Sequence, residues 1–561
     1  MVQNVLNIMH REIRGLHHAA YILALFTFGS QILALIRDRL LAHQFGAHIE
    51  LDLYYTAFRI PDALYVLFAS TLSIYVLIPF IAERMEKHSG ESARHLLSQL
   101  FSFFVIAYGV IALIAIIYAP AIVTYVFPGF VAEADTLVPL IRILLVQPLL
   151  LGVSSLFGVV TQLEHRFILY ATSPLLYNVG IIVGLLFLYP IVGVNGLAYG
   201  VILGALGHVC IQLPSVVRSP LMPRFTFVFC VRDIAEVCRT SFTRALTLSL
   251  HQLVLLGFVG FASMMAVGSV SVFQFAYNLQ SVPLAIIGVS YSVAAFPLLA
   301  QLYAEKKYDV LGENIVNTLK HIFFWSLPAI ALFVVIRAQF VRVVLGSGEF
   351  DWSDTRLTAA VLALFILSLT AQSVHLLIVR ALYAVTNTFI PFLVTLFSSV
   401  LALGFAFLFH QILMLHGSFY IFVEGIMRLE GVRGIEVLSL PLGYSVALII
   451  HSIILMVCAR KKIFLKSRML MRPFFQSFTS AIFAGAIAYA VLNYIATVTV
   501  IETFFGIFSQ GLTAALCGFF AYLFAQYIFK NAELHEIYAT LRRRFSRDDV
   551  MVPQDEDTLA V

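Results

Sequence analysis

The chain has 561 residues, of which 61% are hydrophobic and 12% charged, with a formal net charge of +5 and a mean hydropathy of +0.95. An average soluble protein carries about 25% charged residues, so half the surface that water would require is missing. These proportions exclude a soluble enzyme, a disordered chain and a nucleic-acid-binding protein, and leave a polytopic, all-α membrane protein.

The first apolar run opens near His18 and leads into Arg37-Asp38-Arg39 with no small-residue cleavage site, which argues against a removable signal peptide. A helix needs about 20 apolar residues to cross the hydrocarbon, and about fourteen such runs follow one another along the chain. They lie near 18–43, 53–82, 96–119, 136–162, 168–190, 194–217, 234–264, 268–302, 314–337, 356–384, 388–411, 435–459, 474–499 and 502–529. The joints are short and rich in Pro and Gly, as at Pro128-Gly129, Pro190 and Gly193-Val194-Asn195-Gly196. Such runs must be helices, because lipid cannot satisfy open backbone groups.

Lysine and arginine mark the cytoplasmic side. With the N-terminus inside, 23 of them fall in inside segments, among them Arg11, Arg14, Arg84, Arg166, Lys306, Lys466 and the cluster Arg542-Arg543-Arg544 with Arg547. Only 5 fall outside: Arg337, Arg342, Arg356, Arg428 and Arg433. Both termini are therefore expected in the cytoplasm, and the polar tail from Asn531 is expected to be loosely ordered.

The charges within the spans carry most information. Starting from His18, Arg37 lies about 28 Å along its helix, in the outer half of the bilayer. Arg59 and Asp62 sit near the outer end of the second span, and a short joint brings the two groups together. Intramembrane charges are costly and face a cavity or a partner. Arg37 and Asp38 are adjacent, point about 100° apart and are not expected to form a simple face-to-face pair. Asp52 is the expected counter-ion of Arg37 or Arg39. Two readings stand for this group: arginines snorkelling to the outer interface with a salt bridge fixing the hairpin, or an anion site whose guanidinium forks match phosphate oxygens. Arg142, and Arg239 and Arg244 in the first turns of the seventh span, suit interfacial anchoring, as does Arg380 at the inner end of the tenth. Pro61, Pro283 and Pro297 are candidate bends.

Two stretches of the chain echo each other. Pro79 and Pro297 end the second and eighth spans 218 residues apart, and Pro174 and Pro391 open the fifth and eleventh 217 apart. Gly193–Gly196 and Gly431–Gly434 precede the sixth and twelfth. The order indicates two six-helix lobes, 1–225 and 226–465, then two further transmembrane helices, 466–530, and a cytoplasmic tail, 531–561. Parallel repeats of this kind are common in transporters that hold substrate between the halves. Enzyme signals are poor: no HExxH, P-loop or GxSxG in context, and His208, His251 and His375 read as packed histidines. No metal site is expected. Cys210, Cys230, Cys238, Cys458 and Cys517 form no CxxC pair and read as small buried hydrophobes.

The segment from Ser30 to Glu83 resembles the start of the MurJ (also called MviN) family of the multidrug/oligosaccharidyl-lipid/polysaccharide transporter superfamily. The matching residues are Arg37-Asp38, Ala42, Phe45-Gly46-Ala47, Asp52, Ala57-Phe58, Pro61 and Pro79. Arg166-Phe167 with Pro174 and Asn178, the stretch Gly346 to Asp354, and Arg380 to Ala384 extend the likeness along nearly the whole chain. The resemblance implies a flippase, not an enzyme. It would carry lipid II, the undecaprenyl-pyrophosphate-linked peptidoglycan precursor, to the outer leaflet of the bacterial inner membrane by alternating access. It also implies a monomeric transporter that meets its lipid-linked glycan and membrane lipids but no nucleic acid. No cofactor is implied, and coupling to the membrane potential or to an ion is possible. Arg37, Asp38 and Asp52 fall on the family's functional positions; Arg39 and Arg59 join them as cavity candidates, with Arg239, Arg244, Asn278 and Arg380 secondary. The chain departs from the family at Gln31, Tyr65 and Tyr277-Asn278, where many members are charged, and at Ser70, where they have glutamate. Either Arg59, Arg239 and Arg244 supply the positive field of the chamber, or the head group differs. Alternatives are a flippase for another lipid-linked oligosaccharide, a small-molecule antiporter of the superfamily, and a scaffold without transport.

Overall fold

Apolar runs of this length have no backbone partner in lipid but their own, and among the described residues the secondary structure is helical with no strand. The structure is a computed structural model and describes residues 16–69, 74–87, 90–497 and 503–545. Arg11, Arg14, Ser70 and Arg547 lie outside them. Eleven of the described helices are long and apolar enough to cross a membrane, and twelve if Trp352–Ile366 and Leu369–Ala384 count as one span. The first two expected spans are outside that count. One is an unbroken helix, Leu16–Phe45, with Arg37-Asp38-Arg39 in its last third. The other is split into Ile49–Ala57, Arg59–Ala69 and Ile74–Lys87. Its first break falls at Phe58, and Pro61, four residues after Ala57, brings a ring and no N–H for the Ala57 carbonyl.

Several expectations change. Arg337 and Arg342 lie in a helix rather than an outside loop, because Tyr308–Leu345 runs on past its apolar stretch. The tail after Asn531 begins as a helix, Ala532–Phe545, which Asn531 starts by accepting the Leu534 N–H on its Oδ1 at 3.1 Å. The cysteines are unbonded, but Cys210, Cys230 and Cys458 are exposed rather than buried. Large apolar side chains also face outward, as Leu113 and Ile117 do on Gly90–Val126 with 58% and 62% of their surface, which suits a surface covered by lipid rather than water.

The described residues fall into two compact units. The first draws on Met1–Val282, Phe340–Ala371 and Thr386–Cys458; the second on Pro283–Gln339, Gln372–Val385 and Ala459–Val561. This grouping by packing differs from the boundaries at 225, 465 and 530, which describe kinship between stretches of sequence. In the first unit, Gly90–Val126 and Gln147–Leu163 bury Leu97, Leu100, Phe104 and Tyr108 against Leu156, Val159 and Val160. Phe167–Val192 and Asn195–Val217 meet backbone to backbone: a Cβ on Gly184 would lie 2.4 Å from Gly200 Cα, and one on Gly180 2.2 Å from Gly204 Cα. Near the ends of their helices and outside the candidate spans, Arg84 reaches Asp233 at 2.7 Å, and this bond holds the Asp233 carboxyl below its ordinary range. In the second unit, Met471–Ala496 and Phe504–Ile528 share a seam where a Cβ on Gly518 would stand 2.8 Å from Ala488 Cβ. Tyr522 fastens that pair to Tyr308–Leu345 by donating to the Phe324 carbonyl at 2.7 Å.

Candidate functional site

The Leu16–Phe45 helix packs along Phe167–Val183 in the first unit, and this places Arg37 beside Asn178. Arg37 Nη1 donates to Asn178 Oδ1 at 3.0 Å, and Asn178 Nδ2 donates to Ser30 Oγ at 3.3 Å. Arg37 also bonds its sequence neighbour: Nε and Nη2 donate to Asp38 Oδ1 at 3.0 and 2.8 Å. A simple face-to-face pair is not expected of the two, and they bond by another route. Their Cβ atoms do diverge, but the arginine stem is long enough to fold the guanidinium back. Asp38 Oδ2 accepts from Asn278 Nδ2 at 2.9 Å, Asn278 Oδ1 accepts from Gln274 Nε2 at 2.7 Å, and Gln274 Oε1 accepts from Arg59 Nη2. A continuous polar relay therefore runs from Ser30 to Arg59, and links the Leu16–Phe45 helix to Ser269–Leu284.

Asp52 stands apart from this relay. Its Oδ2 accepts the Gly268 N–H at 2.6 Å, and its Oδ1 accepts the Ser271 N–H at 2.7 Å and hydroxyl at 2.6 Å. It caps the start of Ser269–Leu284 from a distant part of the chain, where the first N–H groups of a helix lack partners and favour an anion. The expectation that it neutralises Arg37 or Arg39 is thus overturned. Arg39 Nη1 donates to the carbonyls of Val343 and Val344 at 2.6 and 3.2 Å, at the C-terminal end of Tyr308–Leu345, where a cation suits the helix dipole. The neighbouring turn locks onto the same region. Gly46 has φ +59°, a Cβ on it would meet the Glu349 carbonyl oxygen at 2.6 Å, and the Ala47 N–H donates to Asp354 Oδ2 at 3.1 Å. The Phe45-Gly46-Ala47 motif and the stretch from Gly346 to Asp354 are two halves of one joint.

Beside the relay lies a cavity of about 130 Å³. Its walls are Arg37, Leu41, Tyr54, Tyr55, Phe58, Arg59, Asp62, Tyr177, Ile181, Gln274 and Asn278. Arg59 is only 7% exposed, and its Nε has no partner among the described residues, nor does the Tyr55 hydroxyl. Arg37 commits three of its N–H groups to Asp38 and Asn178, leaving two of the five that a guanidinium offers. Guanidinium, phenol and amide groups together can bind phosphate oxygens and sugar hydroxyls. The walls carry two arginines, Arg37 and Arg59, and one aspartate, Asp62; the formal charges cancel only when Asp38, which lies behind the wall and is bonded to Arg37, is counted with them. Where family members are charged, this chain has neutral side chains with partners of their own. Tyr65 bonds Ser155 at 3.3 Å, Tyr277 bonds His251 at 3.0 Å, and Asn278 belongs to the relay.

Of the sequence candidates, Arg37, Asp38, Arg59 and Asn278 come together here, whereas Arg39 and Asp52 hold neighbouring backbone. Arg239 is exposed and Arg244 half-buried on Val231–Ala262, and neither lines the cavity. Arg380 lies in the second unit, donating to Ser292 Oγ at 2.8 Å and to the Val289 carbonyl at 3.3 Å. Sequence reasoning missed Gln274 and the tyrosines at 54, 55 and 177, since amides and phenols on apolar helices carry no signal by spacing. Among the described residues no cluster of His, Cys, Asp or Glu could hold a metal ion.

The chain matches the family model described as lipid II flippase MurJ over residues 41–509. It is 26% identical over 381 residues to the "Probable lipid II flippase MurJ" of Thermotoga maritima, covering 67% of this chain and 76% of that one. It is 24% identical over 349 residues to the "Lipid II flippase MurJ" of Burkholderia cenocepacia, covering 61% and 68%. Among solved structures, "Lipid II flippase MurJ, inward closed conformation" aligns with a TM-score of 0.70 at 20% identity, over 91% of this chain and 98% of that one. An inward-facing multidrug resistance MATE family transporter of the MOP superfamily aligns with a TM-score of 0.63 at 15% identity, over 78% and 95%. At such identities the structural likeness speaks to the fold.

Proposed function

The chain belongs to the lipid II flippase MurJ family, and we infer that it translocates lipid II across the bacterial cytoplasmic membrane for cell-wall synthesis. It is a transporter, not an enzyme. The observation that carries the reading at the level of this chain is the relay around Arg37. It presents a half-buried guanidinium with two unspent donors to a polar cavity inside an otherwise apolar bundle. The pyrophosphate and sugars enter the cavity while the prenyl tail stays in lipid. Ligand sites for small molecules run to about 300–1,000 Å³, so a glycopeptide head group requires this cavity to widen. The excess of lysine and arginine in one set of joints supports cytoplasmic termini.

The test is outer-leaflet exposure of lipid II in a bacterium depleted of its own flippase. Wild type restores exposure and growth, and Arg37→Ala restores neither while remaining in the membrane at wild-type abundance. Failure of the wild-type chain to restore exposure would refute the assignment, and full rescue by Arg37→Ala would remove Arg37 from the site.

A further inference from the structure

The four charges at and just behind the cavity wall are not equivalent. Asp38 is 3% exposed and is bonded by Arg37 and Asn278, so its charge is spent inside the relay. Asp62 is half-buried, faces the cavity and accepts no hydrogen bond from a described residue. Arg59, one turn back on the same helix, turns its Nη2 to Gln274 and not to Asp62. A carboxyl group with no hydrogen-bond donor among the described residues thus stands on the wall that a pyrophosphate must approach, and when ionised it faces that anion with only the charge of Arg59 near it. Like charges in a poorly screened site repel far more than in water. A carboxylate is acceptor-only, as are phosphoryl oxygens, whereas a protonated carboxyl has an O–H to donate to them.

We propose that Asp62 is a proton-binding site linked to the substrate: the cavity takes up one proton on the Asp62 carboxylate when the pyrophosphate enters, and releases it when the head group leaves. This rests on the lipid II reading above. The proton comes from water and forms an O–H bond at an Asp62 oxygen; no other bond forms or breaks. The groups that face Asp62 are Arg59 and Tyr65 on its own helix, Tyr54 and Tyr177 from the helices beside it, and Arg37 across the cavity. From Val231–Ala262, His251 stands next to Arg59 and is bonded to Tyr277. Gln147–Leu163 contributes the Ser155 hydroxyl on Tyr65. Linkage is reciprocal, so acid strengthens substrate binding and substrate strengthens proton binding. With one linked proton, affinity rises by up to about tenfold per unit fall in pH.

The experiment uses the full chain in lipid nanodiscs, with lipid II titrated from about pH 5 to about pH 8 and proton uptake read by an indicator in weak buffer. Wild type and Asp62→Glu are expected to bind more tightly in acid and to take up about one proton per lipid II. Asp62→Asn is expected to bind with a flat pH profile and no uptake. The proposal is overturned if Asp62→Asn keeps the wild-type slope, or if wild type binds lipid II with no slope and no uptake, whether or not sodium or magnesium ions are needed. The flippase reading survives those results. If neither protein binds lipid II at any pH, both fail. Should Asp62→Asn not fold, proton uptake by wild type and Asp62→Glu still decides.

Discussion

Asp52 accepts three hydrogen bonds from Gly268 and Ser271 while 1% exposed. Its task is to fix where Ser269–Leu284 starts, and hence where Gln274 and Asn278 stand in the relay. Leaving buried donors unsatisfied costs about 1–3 kcal/mol each. Asp52→Ala is therefore expected to destabilise the protein by about 2–3 kcal/mol, read as a lowered thermal midpoint in detergent. An unchanged midpoint with lost transport would instead put Asp52 in contact with substrate. Arg37 differs in kind, since its fork serves Asp38 and Asn178 and still offers donors to the cavity.

Between helices in lipid there is no hydrophobic drive, because the tails are as apolar as leucine; close backbone packing takes its place. The seam of Gly180, Gly184, Gly200 and Gly204 is the tightest such contact in the first unit's fifth and sixth spans. It also sets where Asn178 and Tyr177 point, since both lie on Phe167–Val183. Gly200→Leu would force the helices apart and is expected to lower stability by about 1–3 kcal/mol. Gly404→Leu is the control, because a Cβ there meets nothing within 4 Å. Equal thermal midpoints for the two variants would show that the seam does not hold the helices together.

Over the whole molecule, the charges at the cavity are fixed to the protein, and cancel once Asp38 behind the wall is counted, so the charge that crosses the membrane is that of the head group and any proton it brings. Lipid II carries net negative charge toward the positive outside, and each unit gains about 2.3 kcal/mol per 100 mV. In proteoliposomes an inside-negative potassium diffusion potential is expected to speed outward movement of lipid II, and collapsing it should return the rate to the undriven value. A rate indifferent to the potential would mean that the carried charge is fully compensated.

The sequence by itself determined that the chain is a bundle of membrane-crossing helices, since lipid leaves long apolar runs no other backbone solution. It also determined that Arg37, Asp38, Arg59 and Asp62 lie near one another, because a short joint connects two helix ends of known rise. The tertiary structure alone decided their partners. Asn278 reaches Asp38 from 240 residues away and Ser271 reaches Asp52 from 219, and no local periodicity carries such distances. Periodicity gives the direction of a Cβ, whereas the end of a long side chain goes where packing leaves an acceptor. That is why Arg37 and Asp38 pair, why Asp52 caps a helix, and why one carboxylate, Asp62, is left open on the chamber wall.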